Sequence, residues 1–212
     1  MARLDFCPLP VDQMHGGQTE WRMSKIHIFI ISSLIGFTTL PVYAGQVTDA
    51  AVAAEKFADE GKFDDALAKI NEAKDSIWDA SPLVIHNATI VSADPAGYGI
   101  YDIRPNNEFK ADEKIIIYSE PAGFAYGRDG DFYVIELALD FEIKDSSGAS
   151  LAKQADFSKW TIRSRVPNKE FMGKLDYSFN GIKPGDYEVI TTVRDKNADS
   201  SAEFSTKFKI VP

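Results

Sequence analysis

Side chains that attack, titrate or ligate are scarce along this 212-residue chain, apart from its carboxylates. Beyond residue 44 there is one histidine, His86, and no cysteine, since Cys7 lies earlier. A Ser-His-Asp hydrolase can be built on a single histidine, but no Gly-x-Ser-x-Gly elbow accompanies His86, which reads as a strand residue. Zinc sites draw on several His or Cys side chains, and neither common phosphate-binding glycine loop is present. Asp129-Gly130-Asp131 has the opening of a calcium loop without its alternating oxygen ligands or closing glutamate. No metal and no cofactor is expected. Glu136, Asp140 and Glu142 fall on one side of a period-two run. Neighbours two apart there stand roughly 7 Å from each other, which suits acid–base work on a glycosidic bond. The same pattern is the solvated face of a half-buried strand, and no catalytic residue is assigned.

The most unusual stretch is 97–128, which interleaves Tyr98, Tyr101, Arg104, Tyr118, Glu120, Phe124, Tyr126 and Arg128 with glycines. Tyrosine and arginine anchor interfaces, and aromatic rings stack on sugars and on one another. These eight residues form the candidate binding surface. They suit equally a role in packing helices against a sheet.

Charge and cysteine content narrow the partners. The formal net charge is −9, and the charges of the first 44 residues cancel, so the remainder is equally acidic. Acidic chains repel nucleic acid and anionic membrane surfaces, so no nucleic-acid partner is expected. Without cysteine past residue 44, disulfides and thiol chemistry are excluded there.

The elements that must position these residues begin with an export segment. Lys25 precedes an apolar run, Ile26–Leu40; Pro41 then breaks it, and Val42-Tyr43-Ala44 offers small residues for cleavage. The run is shorter than the roughly 20 residues that span a bilayer. Residues 23–44 are therefore expected to be a signal peptide, with no membrane span after cleavage. Met23 stands where a start residue is expected, so residues 1–22 are read as a non-native or misannotated extension. No cysteine follows to carry a lipid anchor.

Two helices are expected next, at 47–60 and 63–79, making a hairpin domain over 45–80. Val47, Ala51, Ala54 and Ala58 recur at helical spacing. Phe63, Ala66, Leu67, Ile70, Ala73 and Ile77 do so again after Gly61, and Ser81-Pro82 stops the second helix. The run Gly61-Lys62-Phe63-Asp64-Asp65-Ala66-Leu67, with Ile70 and Ala73, resembles the core of a tetratricopeptide unit. It occurs once, and one such repeat cannot bury its own face.

From residue 81 the texture is that of a β domain, 81–212. Leu83–Ile85, Ala88–Val91, Tyr98–Ile103 and Lys114–Ser119 read as strands. From Phe132 to Lys144, Tyr133, Ile135, Leu137, Leu139, Phe141 and Ile143 recur at strict period two, with Glu136, Asp140, Glu142 and Lys144 on the other face. Trp160–Val166, Phe171–Phe179, the run from Tyr187 to Val193 and Phe204–Ile210 continue the pattern between turn signals. Ile182-Lys183-Pro184-Gly185-Asp186-Tyr187 resembles the tyrosine corner of immunoglobulin-like and fibronectin type III-like sandwiches. The expected fold is mainly β: an antiparallel immunoglobulin-like β-sandwich preceded by an α-helical hairpin. Such sandwiches host unrelated functions. The function expected is that of a non-catalytic binding or scaffolding protein, periplasmic or secreted, with an envelope protein or glycan as partner. The alternatives are an enzyme acting on envelope polysaccharide and a carbohydrate-binding module.

Overall fold

A computed structural model describes residues 43–179 and 181–212. The extension 1–22 and the export segment lie outside the described residues, save Tyr43 and Ala44, which open the first helix. Helix α1 runs Tyr43–Asp59 and α2 runs Phe63–Ala80. Between them Gly61 adopts φ 71°. Its N–H bonds to Ala58 O at 2.9 Å, and the Lys62 N–H to Phe57 O at 2.8 Å, satisfying carbonyls that the end of α1 leaves free. Asp64 and Asp65 fall in the first turn of α2, where the helix dipole favours them. Ser81 Oγ caps the other end on Ile77 O.

The remainder is mainly β, in two sheets. The smaller has the order β1 (Val84–Val91), β3 (Ile115–Ala122), β7 (Gly173–Tyr177), all antiparallel. The larger runs β2 (Glu108–Phe109), β9 (Ser201–Ile210), β8 (Gly185–Asp195), β5 (Phe132–Asp145). On β5, the short β4 (Gly127–Asp129) and the long β6 (Ser150–Ser164) also pair. The chain thus crosses from the smaller sheet to the larger in β2, returns in β3, crosses again for β4 to β6, returns through β7 and finishes in the larger sheet with β8 and β9, the alternation of an immunoglobulin-like sandwich. One pairing departs from the antiparallel expectation: β2 runs parallel to β9.

The alternation read along β5 and β8 sets the core. Ile135, Leu137, Leu139 and Ile143 from β5 and Val189 and Val193 from β8 meet Ile115, Ile117, Leu175 and Tyr177 of the smaller sheet. Tyr187 closes the corner as the resemblance implied, its hydroxyl donating to Lys183 O at 2.8 Å. Gly173 allows the sheets to close at β6, because a Cβ there would stand 2.2 Å from the Trp160 ring.

Two strand expectations need correction. Leu83–Ile85 and Ala88–Val91 are not separate strands: all but Leu83 belong to β1, which a bulge interrupts between His86 and Thr89, with Asn87 at φ 50°. Tyr98–Ile103 is not a strand. It makes only the isolated bridges Val91–Ile103 and Gly97–Ile100, because Tyr101 packs over the outer face of the small sheet instead of joining its edge, while Tyr98, Ile100 and Ile103 stay exposed.

Candidate functional site

The eight residues of the expected surface do not come together. Tyr118 and Glu120 sit on β3 facing away from the sandwich core, and both are buried. The 92–104 loop folds over them: Tyr101 stacks on Tyr118 with ring centroids 4.0 Å apart, and Gly99 N–H donates to Tyr118 Oη at 2.7 Å. Tyr118 Oη in turn donates to Glu120 Oε1 at 2.5 Å, while Asn87 Nδ2 donates to Oε2 at 2.8 Å. Burial, then the bond to Glu120, pushes the Tyr118 hydroxyl up to about 12. Tyr98 is raised as well, by burial and by Glu120. This network pins the loop, which is what satisfied buried polar groups do. Arg104 lies elsewhere, its guanidinium 4.1 Å from the Phe109 ring centroid and paired with Glu113 at 2.8 Å.

Phe124, Tyr126 and Arg128 do converge, at the end of the sandwich where α2 arrives. Phe124 is buried, and Trp78 holds it twice, by an edge-on ring contact at 4.9 Å and by Nε1–H to Phe124 O at 2.8 Å. Tyr126 meets Phe124 at 5.5 Å and Tyr133 at 5.7 Å, and its hydroxyl donates to Asn168 O. Burial first, then Asp75 and Asp79, push that hydroxyl well above its ordinary value. Arg128 faces Tyr133 across the β4–β5 pairing and stacks on it, 3.4 Å from the ring centroid. Among the described residues no carboxylate lies within ion-pair distance of Arg128. A cleft of about 720 Å³ opens here, with Trp78, Phe124, Tyr126, Arg128, Tyr133 and Asp199 among its walls. Cleft volumes of this order accommodate small ligands.

The backbone beneath the cleft is fixed by polar contacts. Buried Asp195 accepts from Ala125 N–H at 2.7 Å and from Asn197 N–H at 2.8 Å. Asn197 Nδ2 donates to Ala125 O and Val134 O. Gly127 is required beside this clamp, since a Cβ would come 2.6 Å from Asn197 Oδ1. Gly123, at φ 74°, passes so close to Pro82 O that a Cβ would be 2.3 Å away. A preformed wall of this kind can hold a partner without first being ordered.

The other candidates have ordinary surroundings. Asp140 is held below the usual carboxylate range, first by Arg194, which bridges it to Asp156. Glu142 is lowered by Ser150 and the nearby lysines. A general acid needs the opposite shift. Asp129 pairs with Arg163 at 2.7 Å, and no group of three or more metal-type ligands occurs among the described residues. His86 lies opposite Glu120 on β1 and lines a groove beside α2.

Trp78, Tyr133 and Asn197 were not anticipated for the site. Trp78 carried a signal, as the large apolar residue in the last turn of α2 before Ser81-Pro82. Tyr133 begins the β5 apolar face, where the strand overruns the core. Asn197 sits in the β8–β9 loop and gave no sign.

No family model matches the sequence, and no curated protein matches it. Among solved structures, a Pseudomonas fluorescens alkylpurine DNA glycosylase bound to DNA is similar over 73% of this chain and 40% of its own, at 10% identity and TM-score 0.34. This chain thus spans well under half of that enzyme. A Bacteroides eggerthii conjugative transposon lipoprotein covers 60% of this chain and 96% of its own, at 13% identity and TM-score 0.31. A CARDB domain from Pyrococcus furiosus, in complex with di-metal ions, covers 61% and 86%, at 10% identity and TM-score 0.26. Likeness at these levels carries no functional argument. Among the described residues no helix is long and apolar enough to cross a membrane.

Proposed function

We propose that this chain is an exported, non-catalytic binding protein of the bacterial cell envelope, periplasmic or secreted, that holds its partner in the cleft where α2 meets the sandwich. In this reading residues 23–44 are the removed leader, 45–80 the hairpin and 81–212 the sandwich. The observation that carries it is Arg128, stacked on Tyr133 at the cleft with no carboxylate of its own. An arginine oriented by an aromatic face keeps its donors free for a ligand's carboxylate or phosphate. The rings of Tyr126 and Tyr133 offer apolar surface alongside. The partner is accordingly an envelope glycan or polypeptide that presents an anionic group beside a flat apolar one.

A carbohydrate-binding module is the second reading, favoured by the aromatic walls of the same cleft. The test is titration of the purified protein with acidic and neutral envelope glycans and with acidic peptides. Arg128→Ala and Tyr133→Ala should each weaken binding by about tenfold or more, the loss expected of a central anchor. A bound ligand whose affinity both substitutions leave unchanged overturns the assignment of this cleft. Loss of affinity for neutral glycans in Tyr133→Ala alone favours the second reading.

A further inference from the structure

The apolar stripe of α2 is left over by the fold. Ala66 and Ala73 are buried, but Phe63, Leu67, Ile70 and Ile77 are 67%, 61%, 48% and 54% exposed. Their intervals of four, three and seven residues, with Lys74 between the last two, follow the seam of a coiled coil. Together they expose on the order of 400 Å² of apolar surface, the size of the largest patch on a typical monomer and of the kind that is often functional. Beside Ile77 the stripe runs into a groove of about 440 Å³, walled by Ile70, Lys74, Ile77, Val84, His86 and Ala122. Phe63 protrudes at the other end of the stripe, next to the hairpin turn.

We infer that this face is covered by a second copy of the chain, the two α2 helices packing antiparallel about a two-fold axis at Ile70. That axis sets Phe63 level with Ile77 of the other copy, so each Phe63 enters the other's groove. Knob and hole lie on the same chain, as an isologous interface requires. Charge agrees. Neither Lys74 nor Asp64 has an ion-pair partner among the described residues. The same axis brings each Lys74 within about two residues' rise of the other copy's Asp64, roughly 3 Å along the helix. The two hairpins thereby become four helices around one core, which removes the deficit of a lone repeat. The groove shares Trp78, Ser81 and Gly123 with the corner cleft, but Asp64, Leu67, Ile70 and Lys74 do not line that cleft and Arg128 and Tyr133 do not line the groove, so substitutions at these positions let either assignment fail alone.

The test is sedimentation of the protein expressed from its full sequence, over a concentration series up to about 100 µM. The expected result is a dimer whose dissociation constant rises at least tenfold in Leu67→Glu, with circular dichroism unchanged. Lys74→Glu should weaken it, and the Asp64→Lys/Lys74→Glu double variant should restore it. In a Cys7→Ser background, Ile70→Cys should form a disulfide between copies. A protein that stays monomeric at the highest concentration overturns the inference. So does open-ended growth, or a dimer indifferent to these substitutions.

Discussion

The sandwich and the hairpin are built from equally periodic sequence, yet only one of them buries what its pattern offers. On β5, Leu137 and Leu139 are wholly inaccessible, and so are Val193, opposite Leu139 on β8, and Val189, opposite Ile143. On α2 the residues of like spacing stay in solvent, and the buried members of the hairpin are alanines, Ala54, Ala66 and Ala73. A sheet finds its second layer within the chain, because β7 returns to the smaller sheet and closes the core. Two helices have a single mutual seam, and their remaining apolar faces need another element. Periodicity therefore reports which face wants burial, and topology decides whether the chain can supply it.

The largest expected effect tests the sandwich half of this contrast. Leu137→Ala removes a wholly buried side chain between two sheets. Chemical denaturation should show a loss of about 2–5 kcal/mol, the range for a leucine cavity in a core. A loss below about 1 kcal/mol places the stabilising core elsewhere and breaks the contrast.

What was legible follows the same division. The strict alternation from Phe132 to Ile143 fixed both the strand and its inner face, because period two has one buried solution. The tyrosine corner was legible because its bond is local, from Tyr187 to Lys183. The surface at 97–128 was not, because adjacency in sequence does not imply adjacency in space across a left-handed turn. Glu120 and Phe124 are four residues apart, yet Gly123 turns the chain between them. Glu120 is left under the 92–104 loop, while Phe124 goes to the opposite environment beside Trp78. The clamp through Asp195 and Asn197 joins residues some 70 positions apart, and no local pattern announces such a pair.

A pH titration sharpens the contrast at intermediate cost. Tyr177 is buried in the sandwich, and burial pushes its hydroxyl up to about 12, with the bond to Thr191 opposing. An unfolded tyrosine ionises near 10. The neutral form is thus favoured by folding, so its contribution is complete below about pH 10 and is lost as the pH climbs towards about 12. The loss is on the order of 2 kcal/mol. Residues 45–80 contain no tyrosine, so tyrosine ionisation reports on the sandwich, and the comparison with Tyr177→Phe subtracts what the lysines contribute. Urea denaturation between pH 8 and pH 11.5 should show a shallower decline in Tyr177→Phe than in the parent chain. That variant should cost about 1 kcal/mol at neutral pH for the lost bond to Thr191. An identical decline in both removes Tyr177 as a contributor.

The smallest effect is the most discriminating, because it is expected to depend on concentration. Leu67 occupies the same kind of periodic position as Leu137, but it is 61% exposed. In dilute protein Leu67→Ala should change stability by less than about 0.5 kcal/mol, since little surface returns to water and alanine favours the helix. At high concentration, where two copies cover the stripe, the same substitution should cost measurably more, because stability then includes the interface by mass action. Leu137→Ala should cost the same at both concentrations, its cavity being internal to one chain. A Leu67→Ala cost as large as that of Leu137→Ala in dilute protein means that the chain itself buries the stripe. A small cost at every concentration means that the hairpin remains bare, and the heptad spacing of α2 then serves neither its own fold nor a second copy.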